Sequence, residues 1–129
     1  MTQTLYEFIL YCSDQKRSRD FYTTILMRSP TLDVPGMTEF QLTDDVKLGL
    51  MPEAGIAKIL QDKTPLPASG TGVPRCELYL YVDDVQRSYD RALAAGAREV
   101  SAPSLRDWGD TVGYVADPDG HIVAFAKAT

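Results

Sequence analysis

Glu7 and Glu77 are the residues of this 129-residue chain whose type and spacing best suit chemistry. Each begins an alternating stretch, Glu7-Phe8-Ile9-Leu10-Tyr11-Cys12-Ser13-Asp14 and Glu77-Leu78-Tyr79-Leu80-Tyr81-Val82-Asp83-Asp84. Two carboxylates turned onto one hollow compete for ionisation, and one is pushed toward neutrality. A carboxylate so tuned abstracts a proton next to a carbonyl. The simpler account is that each glutamate pairs with an arginine or hydroxyl and only shapes a site, and the residues alone leave both open. Tyr11, Tyr79 and Tyr81 share the parity of the glutamates and offer aromatic walls and hydroxyl donors; packing at a seam between modules is an equal account. Trp108, followed by Gly109 and accompanied by Arg106, Asp107 and Asp110, suits a planar ligand at a rim. It would serve equally as a cap on the core. Tyr11, Tyr79, Tyr81, Trp108 and Arg106 are therefore the candidate ligand-binding residues, and Glu77 and Glu7 the candidate acid/base residues.

Other chemistry has little to work with. His121 is the only histidine. It follows a tight turn on the parity of Val123 and Phe125, away from the glutamates, which makes it a structural edge residue and argues against a Ser-His-Asp or Cys-His apparatus. Cys12 and Cys76 lack metal or redox spacing, and Cys12 falls on the apolar parity as a buried thiol. Gly70-Thr71-Gly72 has no strand before it and Pro74 after it, so it is not a phosphate loop. The net charge of -5, without a basic run, argues against nucleic acid and anionic membrane surfaces. Hydrophobic content of 44% and charged content of 24% are those of a soluble globular chain. A basic stretch leading into a long apolar run is missing near Met1, so neither signal peptide nor membrane span is expected, and the cytoplasm is the default setting.

The elements that must position these residues come in duplicate. Glu7, Leu10, Tyr11 and Asp14 recur as Glu77, Leu80, Tyr81 and Asp84 in one gapless register. Arg17-Ser18 and Asp20 then recur as Arg87-Ser88 and Asp90. Two copies of one structural unit follow. Alternation turns Phe8, Leu10 and Cys12, and likewise Leu78, Leu80 and Val82, toward a covering helix. The helices are predicted over about 15–26, capped by Ser13 or Asp14, and after Asp83 or Asp84 up to Gly96. Shorter strands are predicted near 31–34, 39–43, 46–51, 98–101, 111–116 and 122–126, with Asp117-Pro118-Asp119-Gly120 as a tight turn. One domain results: module 1 over about 1–52, a Pro- and Gly-rich linker over about 53–75 with one helical turn near Ile56 to Leu60, and module 2 over about 76–129. The linker reads as a connector ahead of a lid.

Two β-α-β-β-β modules, an Asp-Asp after the fifth strand and Asp-Pro-Asp-Gly before the last resemble the vicinal oxygen chelate superfamily, the group of glyoxalase I, bleomycin resistance proteins and extradiol dioxygenases. The combination Glu-Leu-Tyr-Leu-Tyr-Val-Asp-Asp, Arg-Asp-Trp-Gly-Asp and Asp-Pro-Asp-Gly-His looks like its bacterial glyoxalase-like branch. The resemblance covers essentially the whole chain. It implies an α+β fold in which two tandem βαβββ modules form a cup-shaped mixed sheet with helices outside. It also implies a homodimer. The positions where metal enzymes of the family hold their ligands are Glu7, Gly49, Glu77 and Ala124. Gly49 and Ala124 cannot coordinate an ion, and no further acidic residue is expected on the cup face. No cofactor is therefore expected, and a divalent metal is disfavoured.

The first reading is thus a metal-independent protein that binds a small organic molecule, antibiotic or metabolite. The alternative is a glyoxalase-like lyase or isomerase using Glu77 or Glu7 as acid/base. Metal-dependent glyoxalase or dioxygenase chemistry comes last.

Overall fold

The computed structural model describes residues 5–70 and 72–129. Thr71, in the middle of the Gly70-Thr71-Gly72 stretch, and residues 1–4 lie outside the described residues. The chain divides into two compact units, Met1–Thr71 and Gly72–Thr129.

In the first unit, β1 (Tyr6–Cys12) leads into α1 (Gln15–Leu26), followed by β2 (Leu32–Val34), β3 (Met37–Thr43) and β4 (Val46–Pro52). The sheet order is β1-β4-β3-β2. β1 runs parallel to β4 and the other pairs are antiparallel. Asp14 caps α1 by accepting from the Arg17 backbone N–H at 3.0 Å. Ser18, Phe21, Tyr22 and Ile25 form the buried face of the helix. They meet the side of the sheet that carries Phe40, Leu48 and Leu50, all essentially solvent-free. Gln15 fixes that docking by donating to Thr38 Oγ1 (2.9 Å) and to the Val34 carbonyl (2.8 Å). Burying each Leu- or Phe-sized side chain here contributes about 1.5–3 kcal/mol.

The second unit repeats the plan with β5 (Glu77–Tyr81), α3 (Val85–Ala94), β6 (Arg98–Leu105), β7 (Asp110–Ala116) and β8 (Ile122–Ala128), in the sheet order β5-β8-β7-β6. Asp84 caps α3 on the Arg87 N–H at 3.0 Å, the counterpart of Asp14 and Arg17. The repeated Asp and Arg-Ser residues thus belong to a duplicated helix start. Tyr89 packs on β7 where Gly113 has no side chain. A Cβ there would sit 2.9 Å from Tyr89 Cδ1 and 2.9 Å from Pro103 Cγ. The two four-stranded mixed sheets with their helices are the α+β arrangement expected from the repeat.

Several expectations need correcting. Phe8 does not pack under α1; it is 66% exposed, with Tyr6 beside it at 61%. β1 is the outermost strand of its sheet, and α1 lies against β3 and β4 instead. Of the expected apolar trio only Cys12 is fully buried, and Leu10 is half-buried. The stretch after β4 holds more helix than the single turn expected: α2 (Glu53–Leu60) makes two turns, packs on β4 and β1, and buries Ile56. Two 3-10 turns follow, Gln61–Lys63 and Pro67–Gly70. β6 runs to Leu105 rather than Ser101, because register shifts around Ser101 carry Pro103 past the ladder.

Candidate functional site

The side of each sheet opposite its helix carries the candidate residues, and the two sides differ in character.

In the first unit that side holds Glu7, Ile9 and Tyr11 from β1, Lys47, Gly49 and Met51 from β4, and Met37, Glu39 and Gln41 from β3. Glu7 is paired with Lys47, Ile9 with Gly49, and Glu39 with Gly49. Glu7 reaches across Gly49. A Cβ at Gly49 would stand 2.5 Å from Glu7 Oε2 and 3.1 Å from Ile9 Cγ1. Glu7 Oε2 is buried without a hydrogen-bond partner. Burial holds the Glu7 carboxyl above the ordinary carboxylate range, and the neighbouring Glu39 carboxyl pushes it the same way, against the pull of Lys47. Lys47 Nζ lies 3.4 Å from Glu39 Oε1, and both side chains are largely covered. The expectation that no second acidic residue faces this side is therefore wrong: Glu39 does. Its parity on β3 was readable from the buried Thr38 and Phe40 beside it. The register that brings it to Glu7 and Lys47 depends on the hairpin pairing, with its irregularity between Gln41 and Thr43.

In the second unit Val112, Ala124 and Ala126 form a solvent-free floor, with Tyr79 and Tyr114 packed over it. Tyr79 donates to Asp110 Oδ2 at 2.6 Å and accepts from Trp108 Nε1 at 2.9 Å. Tyr81 donates to the same Asp110 oxygen at 3.4 Å, and the Tyr79 and Tyr81 rings meet edge-on at 5.3 Å. Three predicted residues, Tyr79, Tyr81 and Trp108, are thus joined through Asp110. Trp108 (59% exposed) and Tyr81 (69%) keep open surface. Burial, with Asp110 as acceptor, raises the Tyr79 hydroxyl above its ordinary value, so it stays protonated and donating.

Arg106 is tied down. Its Nε and Nη2 donate to the Val112 carbonyl (3.2 and 2.9 Å), and Nη2 also reaches Ser101 Oγ and the Ala102 carbonyl. The guanidinium lies 5.1 Å from the Tyr114 ring centre. It braces the hairpin that presents Trp108. Burial raises the Tyr114 hydroxyl, and the nearby Glu77 charge adds to this. Glu77 itself is exposed at the start of β5, unlike Glu7. Tyr11 lies in the first unit at the borderline of exposure, at 36%. His121 sits just before β8, its backbone N–H held by Asp117 Oδ1 at 2.8 Å. Asp110 and Tyr114 were missed as site residues. Asp110 sits in a charged loop motif, and only its place at the start of β7 turns it under the tyrosines.

A family model described as a glyoxalase-like domain matches residues 7–125. The chain belongs to the glyoxalase-like family. That family lies within the vicinal oxygen chelate superfamily. This glyoxalase-like chain also superposes on a glyoxalase-related enzyme from Fulvimarina pelagi with a TM-score of 0.83 at 23% identity, covering 98% of this chain and 88% of that one. A glyoxalase/bleomycin resistance protein/dioxygenase family enzyme from Burkholderia phytofirmans gives 0.83 at 18% identity, covering 98% and 99%. An uncharacterized protein of Mycobacterium bovis is 47% identical over 58 residues, which is 45% of this chain and 36% of that protein. The match spans about a third of that relative's length.

The family's metal positions are poorly furnished in this chain. Gly49 offers no donor atom, and Glu7 fills the space a longer side chain would need. Ala124 is solvent-free beneath Tyr79 and Tyr114. Among the described residues, no three His, Cys, Asp or Glu gather closely enough to hold an ion. The residues of this glyoxalase-like chain do not fit the family's divalent metal.

Proposed function

We propose that this glyoxalase-like chain binds a small planar organic molecule without a metal, on the side of its second sheet that carries Tyr79 and Trp108. The supporting observation is the hydrogen-bonded chain from Trp108 through Tyr79 to Asp110. It occupies the indole N–H and the Tyr79 hydroxyl, so Trp108 offers a ligand its ring faces, held at a fixed angle. Tyr81 donates only weakly at 3.4 Å and can turn to a ligand acceptor. A rigid aromatic wall with few polar groups is what sequestration of an aromatic antibiotic or metabolite requires. The test is a thermal-shift screen of bicyclic aromatic compounds in EDTA, since a ligand that binds only the folded state raises its midpoint. Trp108→Ala should weaken any hit by about tenfold. Hits that ignore this substitution would defeat the reading.

A second reading, a lyase or isomerase, draws on Glu7. Its carboxyl is held above the ordinary range, as suits a base working near neutral pH. Under it Glu7→Gln loses turnover while retaining ligand affinity. The homodimer implied by the family is likewise proposed; the exposed Tyr6 and Phe8 on an outermost strand support it. Light scattering at two protein concentrations would check it.

A further inference from the structure

We infer that Lys47 is a built-in cation, filling in the first unit the charge role that the family assigns to a divalent ion, and that it is the residue that makes this face reject such ions. This deepens the metal-independent reading and rests on it. Strand register brings the charges together. Glu7 on β1 and Lys47 on β4 are directly paired, and Glu39 on β3 is paired with Gly49, one step along the same side of the sheet. Two carboxylates from strands flanking β4 therefore converge over a position without a side chain. That is half of an oxygen-donor set, and water could complete it around manganese, magnesium or calcium. The place is already served by a charge. Lys47 Nζ stands 3.4 Å from Glu39 Oε1, with the lysine side chain 26% and the glutamate side chain 15% exposed. Both are largely covered, so salt screens this pair less than a surface pair. An arriving divalent ion would have to displace the ammonium and then sit beside it. At a few ångströms that repulsion is strong even at a moderate effective dielectric.

Gly49 and Lys47 thus act together. Gly49 removes the family's own ligand and gives Glu7 room to lie down, while Lys47 neutralises the carboxylate next to it. Loss of a metal ligand alone would leave two repelling carboxylates. Its combination with a lysine gives a closed charge arrangement.

The experiment measures Mn2+ binding to the full chain by electron paramagnetic resonance and calorimetry, for the wild type, Lys47→Gln, Lys47→Met and Lys47→Arg. Circular dichroism confirms that each variant is folded. The wild type and Lys47→Arg should bind Mn2+ only weakly. Lys47→Gln, whose amide can still bond Glu39, should gain affinity by about tenfold or more. The gain should vanish in Lys47→Gln combined with Glu39→Gln. Lys47→Met serves if the glutamine variant fails to fold. A folded Gln or Met variant that gains nothing overturns the role of Lys47 and leaves the metal-independent reading standing. A wild-type chain that binds Mn2+ stoichiometrically through Glu7 and Glu39 overturns both.

Discussion

The two sheets share one strand order, and β1 pairs with β4 as β5 pairs with β8, yet position 7 and position 77 have come to different ends. Glu7 is folded down over Gly49 among charged neighbours. Glu77 stays exposed at the mouth of a face built from tyrosines and alanines. The difference lies in the partner strand. Where the last strand offers glycine, a carboxylate can lie across the sheet and meet Glu39. Where it offers alanine under a tyrosine, the aromatic ring takes that place. A duplicated backbone thus fixes where side chains start, while the residue opposite decides whether the surface becomes polar or aromatic.

Placing a glutamate at each of the two vacant ligand positions would expose this contrast most strongly. Ala124→Glu would bury a carboxylate beneath Tyr79 and Tyr114 with no partner. That costs on the order of 4 kcal/mol or more and should leave little folded protein. Gly49→Glu meets mainly the movable end of Glu7, so its expected cost is smaller, about 1–3 kcal/mol. Urea titration of both variants measures the gap, and equal losses would break the comparison.

Next in size is Asp110→Ala. It removes the acceptor of Tyr79 and Tyr81 from a site only 9% exposed, and should destabilise by about 2 kcal/mol. It should also free the Trp108 ring, lowering its fluorescence anisotropy. An unchanged anisotropy would mean that the loop, not the tyrosine chain, holds the indole.

The smallest effect separates the two glutamates. Because the folded chain raises the Glu7 pKa, it holds that proton more tightly than the unfolded chain does. Glu7 therefore contributes nothing unfavourable at low pH. Its cost sets in as pH rises past the unfolded carboxylate value and is complete above the raised folded one. Glu7→Gln should accordingly stabilise the protein at pH 7 and not at pH 4, by thermal midpoint. Glu77→Gln, at an exposed position, should stay within about 0.5 kcal/mol at both. A stabilisation of equal size from both substitutions would remove the distinction.

Much of this was legible in the residues. The repeat of Glu, Leu, Tyr and Asp identified two modules, and the Asp14 and Asp84 caps fell where Arg17-Ser18 and Arg87-Ser88 required them. Parity correctly turned Tyr79 and Tyr81 to one side. Strand order and register were not legible. Glu39 and Lys47 look like ordinary exposed charges until β3 and β4 are laid beside β1. Phe8 has the pattern of a buried residue, but alternation cannot say how far along a strand a helix reaches. Asp110 needed the length of β7, which the preceding Gly109 obscured.

Trp108 is the only tryptophan in the chain, so its fluorescence reports on a single place. The decisive measurement titrates bicyclic aromatic fragments, first ranked by thermal shift, into EDTA-treated protein while following that emission. Saturable quenching that is unchanged by added Mn2+ or Zn2+, and lost in Tyr79→Ala, is the result expected of metal-free binding against the Tyr79–Trp108 wall. Quenching that appears only after a divalent ion is supplied would contradict it.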